Sequence, residues 1–144
     1  MKHIWTVLCQ KSSIDFETNL LSLFNCVEQL DLEIDKSKQL VENLVLPIEL
    51  SLISFWIIED SNQDNNLEMK YQLTDPNKKI LNQFNYKFEI KKGSLRFRNR
   101  IHIQGLNISV PGRYTINIMQ KKDGSIGEFV EVLNLPVDVN ITYK

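Results

Sequence analysis

The chain has 144 residues, 42% of them apolar, and its 17 basic and 18 acidic side chains give a formal net charge of −1. This length favours one domain over residues 1–144 with a core of its own, and the apolar fraction excludes a disordered chain. The balanced charge argues against a strongly basic protein of the nucleic-acid-binding kind. Alanine is absent whereas Ile, Val, Thr, Phe and Tyr are frequent, which favours strands over helices.

Alternating apolar and polar residues predict about nine strands bounded by turn residues. The predicted strands cover residues 2–10, 20–34, 47–59, 67–74, 84–91, 95–104, 113–121, 126–133 and 136–143. Asp75-Pro76 indicates a turn, and Asp123-Gly124 predicts a hairpin. Pro47 limits the stretch 36–45 to a short helical turn or a loop. Because most strands have one polar face, we expect an all-β fold, a single-domain antiparallel β-sandwich of the immunoglobulin-like or C2-like type, with a barrel as the less favoured alternative.

Catalytic signatures are missing from the sequence. His3 and His102 fall on different predicted strands, and no glycine-rich phosphate loop, serine-hydrolase elbow or zinc-protease motif occurs. Cys9 and Cys26 lie in apolar, strand-like surroundings, so we expect two reduced, buried thiols, with a single disulfide between them as the less favoured alternative. Tyr114, at the start of a strand, is either a tyrosine-corner residue or an ordinary core residue. We therefore predict no enzymatic activity and no required cofactor.

No apolar run approaches the length needed to span a bilayer, and the first residues lack the apolar core of a secretory signal. The cytoplasm is accordingly the expected location of the protein.

An acidic loop between two predicted strands resembles part of a calcium-binding loop. Asp60, Asn62 and Asp64 stand at the alternating positions that supply oxygen ligands, and Glu68 follows. Tyr71 occupies the position where such a loop has its bidentate glutamate. The alternative, which we favour, is a polar connection whose Asp and Asn side chains bond their own backbone. Calcium binding by these four residues is a secondary prediction.

A basic stripe is the second candidate site. Arg96, Arg98 and Arg100 alternate along one predicted strand, so their side chains share a face, and Lys87 and Lys91 alternate on the strand before it. If the two strands form a hairpin, the five cations make one patch that suits carboxylate or phosphate groups. The alternative is an ordinary solvated sheet face whose charges are balanced across strands.

Charge is distributed unequally along the chain. Residues 1–72 contain 5 basic and 12 acidic residues, a net charge of −7, and residues 73–144 contain 12 basic and 6 acidic residues, a net charge of +6. Oppositely charged surfaces on one molecule favour contact with a charged partner or with a second copy. The expected partner is therefore another protein or the chain itself, with nucleic acid disfavoured.

Two groups of residues resemble an uncharacterised bacterial family of β-sandwich domains. They are Ile4-Trp5, Leu8-Cys9, Asp15, Asn19 and Ser22-Leu23-Phe24-Asn25 near the start, and Leu106 with Val110-Pro111-Gly112-Arg113-Tyr114 near the end. The resemblance implies a small cytoplasmic sandwich and brings no catalytic residue with it. We predict a non-enzymatic binding or protein-interaction module. The alternative is a calcium- or anion-binding, C2-like sandwich that docks to a charged partner or a membrane surface.

Overall fold

The computed structural model describes residues 1–38, 44–122 and 127–144. Nine strands account for most of this part of the chain, and its one helical element is a 3-10 turn at Lys36–Lys38. The strands are β1 (Lys2–Ile14), β2 (Leu21–Cys26), β3 (Gln29–Ile34), β4 (Leu44–Ile57), β5 (Asn65–Thr74), β6 (Ile80–Ile90), β7 (Arg96–Ile108), β8 (Gly112–Lys122) and β9 (Val130–Tyr143). No helix in the described ranges is long and apolar enough to cross a membrane. The prediction of an all-β fold is confirmed.

Two sheets share one core. The first has the strand order β2-β1-β4-β7 and the second the order β3-β9-β8-β5-β6. All neighbours pair antiparallel except β3 and β9, which are parallel, so the prediction of a purely antiparallel fold is wrong at one edge. A parallel pair needs a long connection, and most of the chain separates these two strands. Local turn signals therefore carried no information about their pairing.

The predicted strand 20–34 is wrong because it is two strands in different sheets. The backbone N–H of Val27 donates to the carbonyl of Leu8 in the first sheet at 2.7 Å, and the next residue, Glu28, accepts from Asp138 in the second sheet at 3.1 Å. The chain therefore passes from the first sheet to the second between two adjacent residues, Val27 and Glu28. Apolar alternation continues through this crossing, which is why the sequence reads as one strand.

The predicted gap at residues 134–135, between the predicted strands 126–133 and 136–143, is absent, because β9 runs without a break through Pro136. Asp138 directs its N–H toward β3, so the proline two residues earlier has its nitrogen on the same side. The pairing of β3 with β9 begins at Asp138, so no partner there needs an N–H from Pro136. One predicted strand is thus two strands in the structure, and two predicted strands are one. The predicted number of nine strands is therefore correct although these divisions are not. The hairpin turn predicted at Asp123-Gly124 lies outside the described residues.

A chain of buried side-chain hydrogen bonds joins the two sheets through the core. The indole Nε1 of Trp56 donates to Asn99 Oδ1 at 2.9 Å, and Asn99 Nδ2 donates to the hydroxyl of Tyr71 at 2.8 Å. Trp56 and Asn99 lie in the first sheet and Tyr71 in the second, and all three are almost completely buried. Burial raises the pKa of Tyr71, which keeps its hydroxyl protonated. The surrounding core combines apolar residues of both sheets, among them Leu50, Leu52, Met69, Ile101, Ile118 and Val139.

The strands β6 and β7 follow each other in the chain but belong to different sheets, so the hairpin between 84–91 and 95–104, on which a single cationic patch depends, does not form. Their connection crosses one side of the molecule and is held by the acidic loop. The N–H of Lys92 donates to Asp64 Oδ1 at 2.7 Å, and the N–H of Gly93 donates to the carbonyl of Ser61 at 2.8 Å. Across the same side the rings of Phe88 and Phe97 meet edge to face, with centroids 5.2 Å apart.

A tyrosine corner opens β8. The hydroxyl of Tyr114 donates to the carbonyl of Val110 at 2.6 Å and accepts from the N–H groups of Ser109 and Val110 at 2.9 and 3.1 Å. The ring is fully buried, so Tyr114 fills both predicted roles, corner residue and core residue. Ser109 in turn donates from its hydroxyl to Asp75 Oδ2 at 2.7 Å, which ties this corner to the turn after β5.

Candidate functional site

Three arginines of β7 project from the outer face of the first sheet. Asn99 and Ile101 are buried in the interior, so the residues between and beside them point the other way. Arg96, Arg98 and Arg100 therefore stand about 7 Å apart in a row. The prediction that they share one face is confirmed.

A hairpin arm lies over the same outer face. We call residues 10–25, the end of β1, the loop after it and most of β2, the β1–β2 arm. Beyond Cys9, β1 pairs with β2 and no longer with β4. The arm then contacts the arginines, because Arg100 Nη1 donates to Ser12 Oγ at 3.3 Å and Arg98 Nη2 reaches the carbonyl of Asn19 at 3.5 Å. Both contacts are longer than a typical N–H···O bond.

The tip of the arm is a tight, internally bonded loop. Asp15 Oδ1 accepts the N–H groups of Glu17 and Thr18 at 2.9 and 2.8 Å, and the Asp15 carbonyl accepts the N–H of Asn19 at 2.9 Å. The hydrogen bonds from Thr18, followed by the one from Glu17, lower the pKa of Asp15. Asn19 has a positive φ of 58°, a conformation that asparagine tolerates better than most residues. These bonds hold Phe16 fully exposed at the end of the arm.

Between the arm and the sheet runs a groove of about 640 Å³, which we call the arginine groove. Its walls are Ile14, Thr18, Asn19 and Leu20 from the arm, and Phe55, Arg96, Arg98 and Arg100 from the sheet. A second recess of about 520 Å³ adjoins it at Arg100 and is lined by Gln10, Lys11, Ser12, Glu49, Ser51, Arg100 and His102. The groove combines an apolar floor with three fixed-charge donors.

The arginines of this groove lack a carboxylate partner among the described residues, since none of them takes part in an ion pair there. The Nε of Arg98 is buried and has no hydrogen-bond partner in that part of the chain. Arg113 on β8 is the contrast, because its Nε and Nη2 hold both oxygens of Asp138 at 2.7 and 3.1 Å. The guanidinium groups of the groove thus keep donors available for an anion from outside.

Lys87 and Lys91 do not join the arginine row, because Lys87 lies on β6 in the second sheet and Lys91 follows the end of that strand. Lys91 is paired with Glu89, and this hydrogen bond, with the charge of Glu89, raises the pKa of the Lys91 ammonium. The single five-cation patch, conditional on a hairpin, is therefore not formed. The contribution of the two lysines to binding stays a prediction.

The acidic loop uses its side chains mainly in local bonds. Asp60 accepts the N–H of Asn62 at 3.1 Å and the amide of Gln63 at 2.9 Å, while Asp64 is bonded to the β6–β7 connection. Glu68 lies on β5 and pairs with Lys121 at 3.6 Å. Within the described ranges no three His, Cys, Asp or Glu residues gather in a way that would hold a metal ion. Calcium binding by Asp60, Asn62, Asp64 and Glu68 stays a prediction, for which calorimetry with calcium is the test.

The histidines and cysteines are distributed over both faces of the first sheet. His3 accepts or donates a bond to Thr6 Oγ1 at 2.7 Å and packs edge to face on Trp56, and burial lowers its pKa. Cys9 is fully buried, as expected, but Cys26 is exposed, so the prediction of two buried thiols is wrong for Cys26. It lies on β2, the edge strand of the first sheet, whereas Cys9 lies on the inner strand β1. His102 is exposed on β7.

Sequence reasoning found the arginines of the groove and missed its other wall. The residues it missed are Ile14, Thr18, Asn19, Leu20 and Phe55. Residues 11–19 connect two predicted strands, but their folding over β7 joins segments about 80 residues apart, and no local pattern encodes it. The sequence matches no known protein-family model, and no curated protein sequence is significantly similar to it.

Proposed function

We propose that this protein is a non-enzymatic binding module whose arginine groove takes an acidic segment of another protein. The observation that carries the proposal is the row of three arginines with no carboxylate partner in the described chain, enclosed by the β1–β2 arm. The planar, always-charged guanidinium matches a carboxylate with two parallel hydrogen bonds. A ligand carboxylate would also replace the long contacts that Arg98 and Arg100 now make with the arm.

The surroundings of the groove favour a short acidic protein segment over a long polyanion. Ile14, Leu20 and Phe55 offer apolar surface to the aliphatic part of a peptide, and Phe16 at the tip adds an exposed ring. Glu17, at the same tip, is exposed and would repel a continuous run of phosphates. The net charge of −1 likewise disfavours a long polyanion as the ligand.

We further propose that the sandwich is of the immunoglobulin-like rather than the C2-like type, which the tyrosine corner at Tyr114 supports. Membership of the uncharacterised bacterial family that the sequence resembles, and a cytoplasmic location, are part of the same proposal. Exposed Cys26 supports the location, since free thiols persist in a reducing compartment.

The test is binding of a fluorescent peptide with alternating glutamate and leucine residues, measured by anisotropy at low and physiological salt. Arg98→Gln and Arg100→Gln are each expected to weaken binding about tenfold, because each removes charge-assisted hydrogen bonds. Arg113→Gln removes the same charge from a guanidinium already paired with Asp138, and it is the matched control with unchanged affinity. The affinity of Lys87→Gln for the same peptide then measures how much Lys87 contributes to binding.

Further arms identify the class of ligand. A charge-reversed peptide, with lysine in place of glutamate, is expected to show no binding. Raising the salt concentration is expected to weaken binding of the acidic peptide. Tighter binding to single-stranded RNA or to phosphatidylserine vesicles than to the peptide would replace the proposed partner with one of those. Equal loss in Arg113→Gln and Arg98→Gln would overturn the assignment of the groove.

A further inference from the structure

Cys9 and Cys26 face each other across the pair of strands from which the β1–β2 arm extends. They are direct partners in the antiparallel register of β1 and β2. The neighbouring pair, Leu8 and Val27, is joined by the hydrogen bond from the Val27 N–H. Because hydrogen-bonded and non-hydrogen-bonded pairs alternate, Cys9 and Cys26 form a non-hydrogen-bonded pair, whose side chains lie closest.

The spacing of such a pair suits a disulfide. Opposed residues of this kind have Cα atoms about 4.5 Å apart, which falls within the range of about 4.4–6.8 Å found in disulfides. Both side chains of an opposed pair point to the same face of the sheet. The register of the two strands is therefore compatible with a disulfide, although both cysteines are free in the structure.

The two thiols differ in the way that a redox pair requires. Cys26 is exposed on an edge strand, so its thiol can reach and attack a small-molecule disulfide. Cys9 is fully buried. Burial of Cys9, followed by the nearby charge of Cys26, raises the pKa of the Cys9 thiol. Cys26 is therefore the thiol that reacts first with the oxidant. Cys9 is the thiol that then attacks the resulting mixed disulfide.

We propose that Cys9 and Cys26 form a reversible disulfide that locks the base of the β1–β2 arm. The Cys26 thiolate attacks one sulfur of oxidised glutathione, which breaks the glutathione disulfide and releases one glutathione thiolate that takes up a proton. The Cys9 thiolate, after losing its proton to solvent, attacks the Cys26 sulfur and displaces the second glutathione. Two protein thiols are oxidised and one molecule of oxidised glutathione is reduced to two thiols.

The bond would close a loop over the sixteen residues of the arm, and the arm supplies one wall of the arginine groove. Cross-linking a loop of this length restricts the unfolded chain, and we expect the melting temperature to rise by about 5 to 10 °C. A locked arm is also better organised for binding, so the acidic peptide is expected to bind about threefold to tenfold more tightly. This last effect rests on the proposed function, and the disulfide itself does not.

The experiment equilibrates the whole protein with mixtures of oxidised and reduced glutathione, blocks free thiols with an alkylating reagent and measures the intact mass. The expected product has lost two hydrogen atoms and carries no alkyl or glutathione group. Cys26→Ser prevents this product, and Cys9→Ser stops at a stable glutathione adduct on Cys26. Raising the pH speeds the second step in the wild type, because the Cys9 thiol must ionise.

Wild-type protein that keeps a glutathione adduct or two free thiols across the whole range of glutathione mixtures, up to oxidised glutathione alone, refutes the disulfide. The wild-type result needs no mutant to fold, so loss of Cys9→Ser to misfolding leaves the test intact; the pH dependence of the wild-type reaction then identifies the resolving thiol. A disulfide without a change in peptide affinity refutes the coupling to the groove. Failure of both redox forms to bind the peptide counts against the proposed function alone.

Discussion

Replacing Asn99 by leucine tests the polar connection through the core. The two side chains are similar in size, but leucine neither accepts the indole N–H of Trp56 nor donates to the hydroxyl of Tyr71. Both groups would be left in the dry interior, where an unpaired polar group costs about 1–3 kcal/mol. Leucine recovers part of this through its apolar surface, so the expected loss of unfolding free energy is about 2–4 kcal/mol. For a chain of this length the melting temperature then falls by roughly 5 to 15 °C.

The assay is urea unfolding followed by tryptophan fluorescence, with Tyr71→Phe as the matched variant. Tyr71→Phe removes the hydroxyl that Asn99 binds, so adding Asn99→Leu to it costs less than Asn99→Leu alone, by about 1 kcal/mol or more. Two results would refute the reasoning. One is an Asn99→Leu protein within about 0.5 kcal/mol of the wild type, and the other is strict additivity in the double variant.

Two further predictions concern the turn and the corner that Asp75 and Tyr114 connect. Burial of Asp75 opposes its charge, but hydrogen bonds from Ser109 and from the N–H of Lys79 outweigh it and lower the pKa of the carboxyl. The stability that Asp75 supplies is therefore present above its ordinary pKa of 3.8 and lost as the pH falls through its lower folded value. Urea unfolding measured from pH 5 downward should show that the free energy of unfolding falls more steeply with pH in the wild type than in Asp75→Asn. Parallel falls in the two proteins would contradict the stabilising role of the Asp75 carboxylate. Tyr114→Phe removes the hydroxyl that bonds the Val110 carbonyl and is expected to cost about 1–3 kcal/mol in the same assay, with an unchanged midpoint as the contrary result.

The arginine groove shows how far local pattern reaches toward a functional site. The alternation of Arg96, Arg98 and Arg100 was enough to place the three side chains on one face, because the two-residue period of a strand is a local property. The same reasoning puts Lys87 beside them only if the two consecutive strands pair, and these strands lie in different sheets. Whether two neighbours in sequence share a sheet depends on the connection between them, and here that connection passes from the second sheet to the first and is hydrogen-bonded to the acidic loop.

The sequence by itself determined the all-β class, the shared face of the three arginines of β7 and the turn at Asp75. Each follows from periodicity or from the backbone preference of a single residue type, and both act over a few positions. Only the tertiary structure decided the parallel pairing of β3 with β9, the continuity of β9 through Pro136 and the placement of the β1–β2 arm over β7. These features join segments that are distant in the chain, where burial and the satisfaction of backbone hydrogen bonds outweigh local propensity.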